Sequence, residues 1–414
     1  MEPIIAFISR VIYPDPAANS VQTIQMAAAL SQYVENTGLF VHDLSAPEEE
    51  IRRVYGVGQS SLKFWPLRAL RWPAPIYNHA VLRFLIYNSG AAAILSLHPA
   101  WRGRRGQYKV VFVRSRLEIL YWGLIRPYLP WMQNWLFVAE IHDLPGGANQ
   151  SEQDPDRSEG TASAGRARRM LQALRRYDLI ITVNQALADD LYWQSNGQIR
   201  AVAVPLCSGL MRLPDPPKVS LPNHRVVLGY FGTVDLAHGI DVVIRALDYL
   251  PAHFTLRLTG RIRDDAKSCV EAACRTGRVE CVEPVPYACM EKEIDACHIA
   301  IVPAGKTVHA VRYRSPLKIF DAWMRGKAIV AADVSCHREL LCDGENAVLY
   351  RSGDPQDLAN KVLALASCPQ QLKTIARAGW ETAVHYTYPA RAQTLLRLMD
   401  EARMQKRGRK PADD

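Results

Sequence analysis

A glycine-containing segment in the second half of the chain has the features of an anion-binding turn. Residues 230–241 read YFGTVDLAHGID. An apolar run ends at Gly232, and Gly239 precedes a helical pattern; the loop between them contains Thr233 and His238. Glycine lets the backbone approach a ligand closely, and a helix N-terminus offers free N–H groups to anions. The segment therefore predicts a diphosphate site, although glycines at such a junction can also serve the turn alone.

A second segment adds charged residues to the start of a predicted helix. Residues 312–330 read RYRSPLKIFDAWMRGKAIV. Ser315 is predicted to cap a helix that has Pro316 in its first turn, and Lys318 brings a positive charge to that end. Asp321 lies about one turn further on the same face and can accept hydrogen bonds from ribose hydroxyls. The alternative interpretation is a capped helix with a surface Lys–Asp pair.

A third group of polar residues follows apolar runs in the first half of the chain. His142 and Asp143 end one such run, and Arg114 ends another. Open α/β sheets bind ligands at the carboxyl ends of their parallel strands, so we interpret His142 as a ligand-facing residue. Asp143 can orient the imidazole or cap the next turn, and Arg114 can equally pair with an acid of its own domain. A histidine at a strand end can also be purely structural.

Short apolar runs alternate with helical patterns in both halves of the chain, which is typical of α/β layering. Runs that are short and mostly apolar fit strands of parallel sheets buried on both faces. Helices are predicted over 21–32, after Asn19 and Ser20 as a cap signal, and over 240–250, 318–325 and 355–366, the last capped by Asp354. The predicted strands are 4–8, 110–113, 136–141, 179–183 and 199–204, then 225–231, 255–259, 279–282, 299–302, 328–331 and 347–350.

The length of 414 residues suits two domains. Residues 214–222 contain four prolines and form the best linker candidate. We therefore predict one Rossmann-like domain over 1–212 and a second over 223–386.

The composition predicts a cytoplasmic protein without a bound metal. The sequence has no apolar run of transmembrane length, and an acid and a proline precede its first apolar run, unlike a signal peptide. Nine cysteines occur, all from Cys207 onward, and none forms a C-x-x-C pair. This arrangement disfavours a closed zinc site or a disulfide framework, so we expect reduced cysteines that fill the core.

Residues 51–117 form a basic segment, with twelve Lys and Arg residues, no acid and many interleaved aromatic residues. Such a surface can bind an anionic membrane face. It can also be a solvated face over core aromatics with no partner. Nucleic acid is a third possibility, but no nucleic-acid motif accompanies the charge, and we expect no nucleic-acid partner.

The chain resembles the family 4 (group 1) glycosyltransferases of the GT-B fold, most strongly from residue 228 to about 354. The pattern S-P-L-K-I-F-D-x-x-x-x-G-K-x-I-V-A-x-D over 315–333 is close to the family motif, and R-E-L-L-x-D-G-E-N-A-x-L over 338–349 also matches. In the first half, Glu140-Ile141-His142-Asp143 resembles the family's E-x-H-D. The resemblance implies two facing Rossmann-like domains with an inter-domain cleft, and a C-terminal helix, 389–406, that crosses back to the first domain.

The resemblance also implies a function: retaining, metal-independent transfer of a sugar from a nucleotide-diphosphate donor to a glycan or lipid-linked acceptor, in polysaccharide or glycoconjugate biosynthesis. No cofactor is implied beyond the donor substrate. Because the basic segment suits a membrane surface, peripheral contact with the inner face of an anionic membrane is a further hypothesis. The implied catalytic residues are His142, Lys318 and Asp321; the donor-binding residues are Gly232, Thr233, His238, Arg261, Arg314, Ser315, Pro316 and Leu317; the acceptor-side residues are Asn19, Ser20, Arg114 and Asp143.

Four positions depart from the family pattern. Asp321 replaces the usual glutamate, and Tyr313 stands where the family has an acid that contacts the donor sugar. Thr233 and His238 stand where the family has Arg and Lys, which removes two fixed positive charges; a protonated His238, or nearby arginines such as Arg314, can substitute.

The departures keep a second hypothesis open, a catalytically inactive nucleotide- or sugar-binding protein on the same fold. A dinucleotide oxidoreductase is a further rival, but no G-x-G-x-x-G follows the first apolar run.

Overall fold

The structure is a computed structural model that describes residues 2–15, 17–67, 80–101, 107–145, 160–222 and 224–408. The chain divides into two compact units. Among the described residues, the first unit comprises 2–145, 160–204 and 391–408, and the second comprises the rest from 205 to 390. Residues 214–222, predicted as the linker, group with the second unit.

The described part of the first unit is built on a parallel sheet of seven strands in the order β5-β3-β1-β6-β7-β8-β9, while β2 and β4 pair separately. This order sets the carboxyl ends of β1, β6 and β7 side by side, and all three strands are almost completely buried, as a sheet covered on both faces requires. The strands are β1 (Pro3–Ile8), β2 (Ile12–Tyr13), β3 (Thr37–Val41), β4 (Asp43–Leu44), β5 (Lys63–Pro66), β6 (Tyr108–Val113), β7 (Leu136–Ile141), β8 (Leu179–Thr182) and β9 (Val202–Ala203).

Two strands of this sheet were not predicted, and one was predicted too long. Strand β3 was missed because Gly38 interrupts its apolar pattern. Glycine is needed at this position, since a Cβ would lie 2.8 Å from the Trp101 ring. Strand β5 is at the edge of the sheet, where its terminal Pro66 is tolerated. The run 199–204 yields only the two residues of β9.

Described helices of the first unit surround this sheet. Helix α2 has three glutamates in its first turn and two arginines in its last, which suits the helix dipole. The helices are α1 (Ala18–Ser31), α2 (Glu48–Tyr55), α3 (Ala80–Leu97), α4 (Arg116–Ile125), α5 (Gly160–Leu174) and α6 (Gln185–Gln194).

The start of α1 corrects the prediction for Asn19 and Ser20. The helix begins at Ala18, so both residues lie in its first turn and not in the preceding loop. The reason is Asp15, whose carboxylate accepts hydrogen bonds from the Ala17 N–H at 3.1 Å and the Ser20 hydroxyl at 2.5 Å. Asp15 therefore anchors the chain one turn earlier than the Asn-Ser pair indicated.

The second unit contains, in its described part, a parallel sheet of six strands in the order β12-β11-β10-β13-β14-β15. Its strands follow the predicted runs closely, and β12 and β13 coincide with them. The strands are β10 (Val226–Phe231), β11 (Phe254–Thr259), β12 (Val279–Val282), β13 (Ile299–Val302), β14 (Ala328–Asp333) and β15 (Val348–Arg351).

Helices of the second unit alternate with these strands. The carboxylate of Asp354 accepts from the N–H groups of Gln356 and Asp357, which confirms the predicted cap. The helices are α7 (Ile240–Ala246), α8 (Asp264–Cys274), α9 (Met290–Asp295), α10 (Leu317–Met324), α11 (Ser335–Arg338), α12 (Pro355–Ala366), α13 (Pro369–Thr382) and α14 (Tyr388–Gly408). From Arg391 onward, α14 belongs to the first unit.

The prediction that the cysteines fill the core is wrong for nearly half of them. Cys207, Cys297 and Cys336 are buried, but Cys281, Cys289, Cys342 and Cys368 are exposed. Among the described residues, no group of three or more His, Cys, Asp or Glu side chains is placed to hold a metal ion.

Within the described ranges, no helix is both long and apolar enough to span a membrane. Of the basic segment, residues 68–79 and 102–106 lie outside the described residues.

Candidate active site

Lys318 lies at the carboxyl edge of the second sheet, where its ammonium group meets an aromatic ring. It is in the first turn of α10, and its Nζ atom is 4.1 Å from the ring centre of Tyr230, near the end of β10. Burial, reinforced by the positive charge of Arg314 and opposed by Asp235, lowers the pKa of Lys318 to about 7. An anion that binds here would stabilise the charged form and raise this pKa.

His238 belongs to the same group of side chains but is held by Asp235. The Asp235 carboxylate caps the short turn after β10 by accepting from the His238 N–H at 2.8 Å, and it also contacts the imidazole Nδ1. Burial lowers the pKa of His238 to about 4, helped by Lys318 and Arg314 and opposed by Asp235. His238 is thus neutral at physiological pH, and it does not replace the missing cation in the free protein.

Asp321 is buried on α10 and is already bound on one oxygen. Its Oδ1 accepts hydrogen bonds from the Ser208 hydroxyl at 2.5 Å and the Tyr287 hydroxyl at 2.9 Å. Burial raises the pKa of Asp321 to about 6, although these two hydrogen bonds oppose the shift. Oδ2 has no hydrogen-bond partner within the part of the chain that the structure describes.

The start of α10 corrects the role predicted for Ser315. The helix begins at Leu317 with Pro316 in the capping position and in an extended conformation, and no side chain caps it. The Ser315 hydroxyl, one residue too early for a cap, is buried and has no hydrogen-bond partner among the described residues. The first N–H groups of the helix, from Leu317 on, have no partner within the helix, as in any α-helix. Tyr313, in the turn before it, is buried.

Two loops at this edge of the sheet come into direct backbone contact. Gly232 and Gly260 follow β10 and β11 with φ of 109° and 141°, and a Cβ on Gly260 would collide with the Gly232 carbonyl. The next residue, Arg261, is exposed, and its carbonyl accepts from the Val234 N–H at 2.9 Å. Gly232, Thr233 and Arg261 are therefore neighbours in space.

The substitution Gly260→Ala is expected to destabilise the second unit by about 1–3 kcal/mol, because it adds backbone strain and displaces the 232 loop. Gly277→Ala is the matched control: φ is 73° there, but nothing lies within 4 Å of a new Cβ. Urea denaturation measures both variants. Equal losses of unfolding free energy in Gly260→Ala and Gly277→Ala would show that the contact between the two loops does not contribute to stability.

In the first unit, Arg114 and His142 meet at a buried carboxylate. Glu140 is fully buried at the end of β7, and its Oε1 accepts from Arg114 Nε at 3.0 Å. Its Oε2 accepts from Arg391 of α14 at 3.0 Å. Burial alone would raise the pKa of Glu140, but Arg114 and Arg391, with a hydrogen bond from His142, hold it well below its ordinary value.

Arg114 is fully engaged in this structure. Besides Glu140, its guanidinium donates to Thr23 Oγ1 and Gln22 Oε1, both at 2.8 Å and both on α1. It also contacts the Asn19 carbonyl at 3.4 Å. The side chain therefore joins β6 to β7 and α1, and of the two predicted roles the structure favours pairing with an acid of its own unit.

His142 is partly exposed and is held through one ring nitrogen. Its Nε2 is 3.0 Å from Glu140 Oε1 and 3.2 Å from Arg114 Nη2. Burial lowers the pKa of His142, and although Glu140 opposes this, Arg114 adds to it. Nδ1 has no hydrogen bond to any described residue, so it can meet a ligand. The neighbouring Asp143 is half-buried.

Residues 225–368 match the family model described as "Glycosyl transferases group 1". The second unit is a group 1 glycosyltransferase domain. The predicted resemblance and the predicted transferase class are thereby confirmed at the level of the family. No curated protein sequence matches the chain.

Solved structures that are similar to this chain match it over nearly its whole length. Sucrose-phosphate synthase from Thermosynechococcus elongatus has a TM-score of 0.69 at 18% identity, covering 97% of this chain and 99% of its own. Anabaena HepE in complex with UDP and glucose has a TM-score of 0.66 at 14% identity, covering 97% and 100%. WaaG, a glycosyltransferase involved in lipopolysaccharide biosynthesis, has 0.63 at 11%, covering 96% and 99%. The GT-B fold of the chain is thereby confirmed.

Several residues of these two groups were missed by sequence reasoning. Ser208 and Tyr287 have no spacing relation to Asp321, and Arg391 is distant in sequence from Glu140. Asp235 did carry a signal, because an Asp three residues before His238 is a common turn cap.

Proposed function

We propose that this glycosyltransferase moves a sugar from a nucleotide-diphosphate donor to a glycan or lipid-linked acceptor with retention of configuration. The observation that carries the proposal is Lys318, an ammonium group with a depressed pKa at the N-terminus of α10, 4.1 Å from the ring centre of Tyr230, which lies two residues before Gly232. A diphosphate fits this site, because the N-terminus of a helix and a glycine turn offer N–H groups and the cation lacks a full counter-charge.

In the proposed mechanism, the protein stabilises the negative charge that develops on the departing diphosphate. Lys318 and Arg314 supply positive charge, and the N–H groups of Thr233 and Leu317 supply hydrogen bonds. Because these groups can provide the counter-charge, we propose that transfer needs no metal ion. The attacking hydroxyl would approach from the face that the diphosphate leaves, which preserves the anomeric configuration.

Asp321 is proposed to bind the ribose through Oδ2. The Ser208 and Tyr287 hydroxyls occupy Oδ1, and this leaves the second oxygen for a ligand hydroxyl. The side chain of Asp is one methylene shorter than that of the Glu that the family usually has. We propose that the fixed orientation of the Asp321 carboxylate compensates for this shorter reach.

On the acceptor side, His142 is proposed to contact the reacting sugar through Nδ1. Glu140 and Arg114 fix the ring through Nε2, and the lowered pKa keeps the imidazole neutral. A neutral ring can accept a proton or donate a hydrogen bond without adding charge. We propose that the reaction takes place in the cytoplasm, during polysaccharide or glycoconjugate synthesis, which agrees with the similarity to WaaG.

Uridine diphosphate is the nucleotide we propose first, since HepE binds UDP-glucose. In a thermal-shift screen of UDP, GDP, ADP and CMP, UDP is expected to raise the melting temperature by a few degrees at ~100 times its Kd, about 2.7 kcal/mol of stabilisation. Release of UDP from UDP-glucose, unchanged by EDTA, would then test transfer. Absence of any shift would contradict the donor site, and loss of turnover in EDTA would contradict metal independence.

The inactive binding protein is the second candidate. The observations in its favour are the neutral His238 and the buried Tyr313, which leave the phosphate and sugar sites with fewer charges than the family pattern has. A UDP-induced shift without any turnover, over a panel of donors and acceptors, would favour this candidate over the transferase.

A further inference from the structure

Two cysteine thiols of the second unit lie in direct contact. Cys274 is the last residue of α8 and Cys281 lies in β12, and their Sγ atoms are 3.1 Å apart. Because a disulfide bond is about 2.05 Å long, the two sulfurs need to approach each other by only about 1 Å to form one. Cys281 is exposed and Cys274 is half-buried, so small molecules in the solvent can reach this pair.

The turn between the two cysteines is held by its own hydrogen bonds. The Thr276 hydroxyl donates to the Ala273 carbonyl at 2.7 Å, and the Gly277 N–H donates to the Cys274 carbonyl at 3.1 Å. Ala273, next to Cys274, and Val279, at the start of β12, are buried in the core of the unit. The backbone is therefore fixed on both sides of the turn.

Arg278, the last residue of this turn, ties it to the rest of the sheet. Its guanidinium group donates to the carbonyls of Leu250 at 3.0 Å and Phe254 at 3.1 Å. Its own carbonyl accepts from the Leu256 N–H of β11 at 2.8 Å. The short distance between the two sulfurs thus follows from a braced turn, and a disulfide could close with little movement of the backbone.

The cysteine pair is one residue away from a contact with the loop after β11. Strand β12 is at the edge of the sheet, where it pairs on one side only. The carbonyl of Val282, which follows Cys281, accepts from the Gly260 N–H at 3.1 Å. Gly260 in turn lies against the Gly232 carbonyl. A bond that restrains β12 at Cys281 therefore also restrains the loop at Gly260.

We propose that Cys274 and Cys281 are a redox modification site, at which a peroxide forms a reversible disulfide that restrains β12 and the loop at Gly260. Two S–H bonds break and one S–S bond forms, and the two electrons and two hydrogens reduce one hydrogen peroxide to two waters. Two molecules of a small thiol such as glutathione return the hydrogens and leave as their own disulfide. The exposed sulfur of Cys281 makes this reversal possible, and the site does not depend on the proposed function.

The reaction should be slow at neutral pH. Burial, followed by the hydrogen bond and charge of Cys274 on α8, raises the pKa of Cys281 to about 12. Glu280 and Glu283 on either side of Cys281 add to this shift, and Arg257 of β11 pairs with Glu280. Because the thiolate is the reactive form of cysteine, the rate of disulfide formation should increase as the pH rises.

Treatment of the full chain with hydrogen peroxide at about pH 8 tests the proposal, a pH at which more thiolate is present than at pH 7. The number of thiols titrated in denaturant should fall by two from the nine of the reduced chain, and dithiothreitol should restore them. Trypsin cleaves between the two cysteines, so the disulfide should join two peptides. Their fragment spectra distinguish this bond from one to Cys269 or Cys289, which lie on the same two peptides.

Matched variants separate this pair from the other exposed cysteines. Cys274→Ser and Cys281→Ser should each abolish the joined peptides. Cys342→Ser with Cys368→Ser, which removes two exposed cysteines elsewhere on the second unit, should leave them unchanged. Circular dichroism checks that every variant is folded.

Hydrogen exchange measures the restraint that the disulfide imposes. In the oxidised wild type the Gly260 amide should exchange at least about tenfold more slowly than in the reduced protein, since a cross-link opposes local opening. In Cys281→Ser, peroxide should not change the exchange of this amide, which controls for oxidation of other side chains.

Three results would overturn the proposal. One is a full set of nine titratable thiols after peroxide treatment. Another is a disulfide between other cysteines, or between two chains on a non-reducing gel, with none between Cys274 and Cys281. The third is unchanged exchange of the Gly260 amide in the oxidised protein, which would contradict the restraint on the loop. Stabilisation by UDP is measured on the reduced protein, so it tests the proposed function separately.

Discussion

Replacing Lys318 by methionine is expected to abolish UDP-glucose binding while leaving the free protein at least as stable as the wild type. The ammonium group is held where burial and Arg314 disfavour its charge, so its removal relieves a cost in the unliganded state. The same removal takes the Lys318 cation away from the proposed diphosphate site. Thermal shift with and without UDP-glucose measures both effects, and Lys373→Met, on the surface of α13, is the control.

If Lys318 binds the diphosphate, the affinity for UDP-glucose should depend on pH. A purely structural role of Lys318 would not produce this dependence. The pKa of Lys318 is about 7 in the free protein. Because a bound diphosphate should raise this pKa, binding is expected to take up a proton above pH 7. Affinity should therefore fall as pH rises above 7, with a limiting slope of about tenfold per pH unit. Lys318→Arg, which stays protonated, should give a flat profile.

The stability of the free protein should change with pH in the opposite sense. A lysine whose pKa is lowered on folding from 10.5 to about 7 destabilises the native state fully below pH 7, and this effect fades as pH rises towards 10.5. The melting temperatures of wild type and Lys318→Met should thus converge in alkaline buffer. A constant difference from pH 6 to pH 10 would contradict the assigned pKa.

Glu140→Gln is expected to cost about 3–5 kcal/mol of stability in the first unit, because it leaves two buried arginines without a negative partner. Arg114 and Arg391 both pair with this carboxylate, at 2.9 and 3.0 Å. Hydrogen exchange of the β7 amides reports this unit separately from the second one. The surface pair Arg397–Glu401 is the control, and Glu401→Gln should cost less than about 1 kcal/mol.

Two further measurements sharpen this test. Combining Glu140→Gln with Arg391→Met should restore part of the lost stability, since it removes one of the uncompensated charges. Because the pKa of Glu140 is held well below 4.5, its stabilising contribution should be complete above about pH 4.5 and decline as pH falls further. A cost below about 1 kcal/mol for Glu140→Gln would show that the buried cluster is not a structural requirement.

The sequence predicts the second sheet well and the first sheet less well, for a physical reason. Strands β13 and β14 are continuous Val-, Ile- and Ala-rich runs buried on both faces, and the pattern identifies them directly. In β3, Gly38 and Thr37 interrupt that pattern, since the close approach of Trp101 is a tertiary requirement.

The candidate site shows the same division between local and long-range information. Lys318 and Asp321 could be predicted because one helical turn brings them together. The partners of Asp321 could not: Ser208 and Tyr287 reach its carboxylate through the fold alone. In the first unit, Arg391 reaches Glu140 in the same way. Helix α1 begins at Ala18, three residues before its predicted start, and α10 begins at Leu317, one residue before its predicted start. Neither helix has a side-chain cap, so the cap signals in the sequence placed both starts too late.

The hydrogen bonds that Asp321 accepts from two hydroxyls reduce the side-chain entropy that is lost when a ligand binds. Ser208 and Tyr287 fix both torsions of the carboxylate before any ligand arrives. Ordering a free side chain at a binding site costs about 0.5–1.5 kcal/mol. In this protein that ordering takes place during folding, so a hydroxyl that meets Oδ2 encounters an acceptor already pointed in one direction.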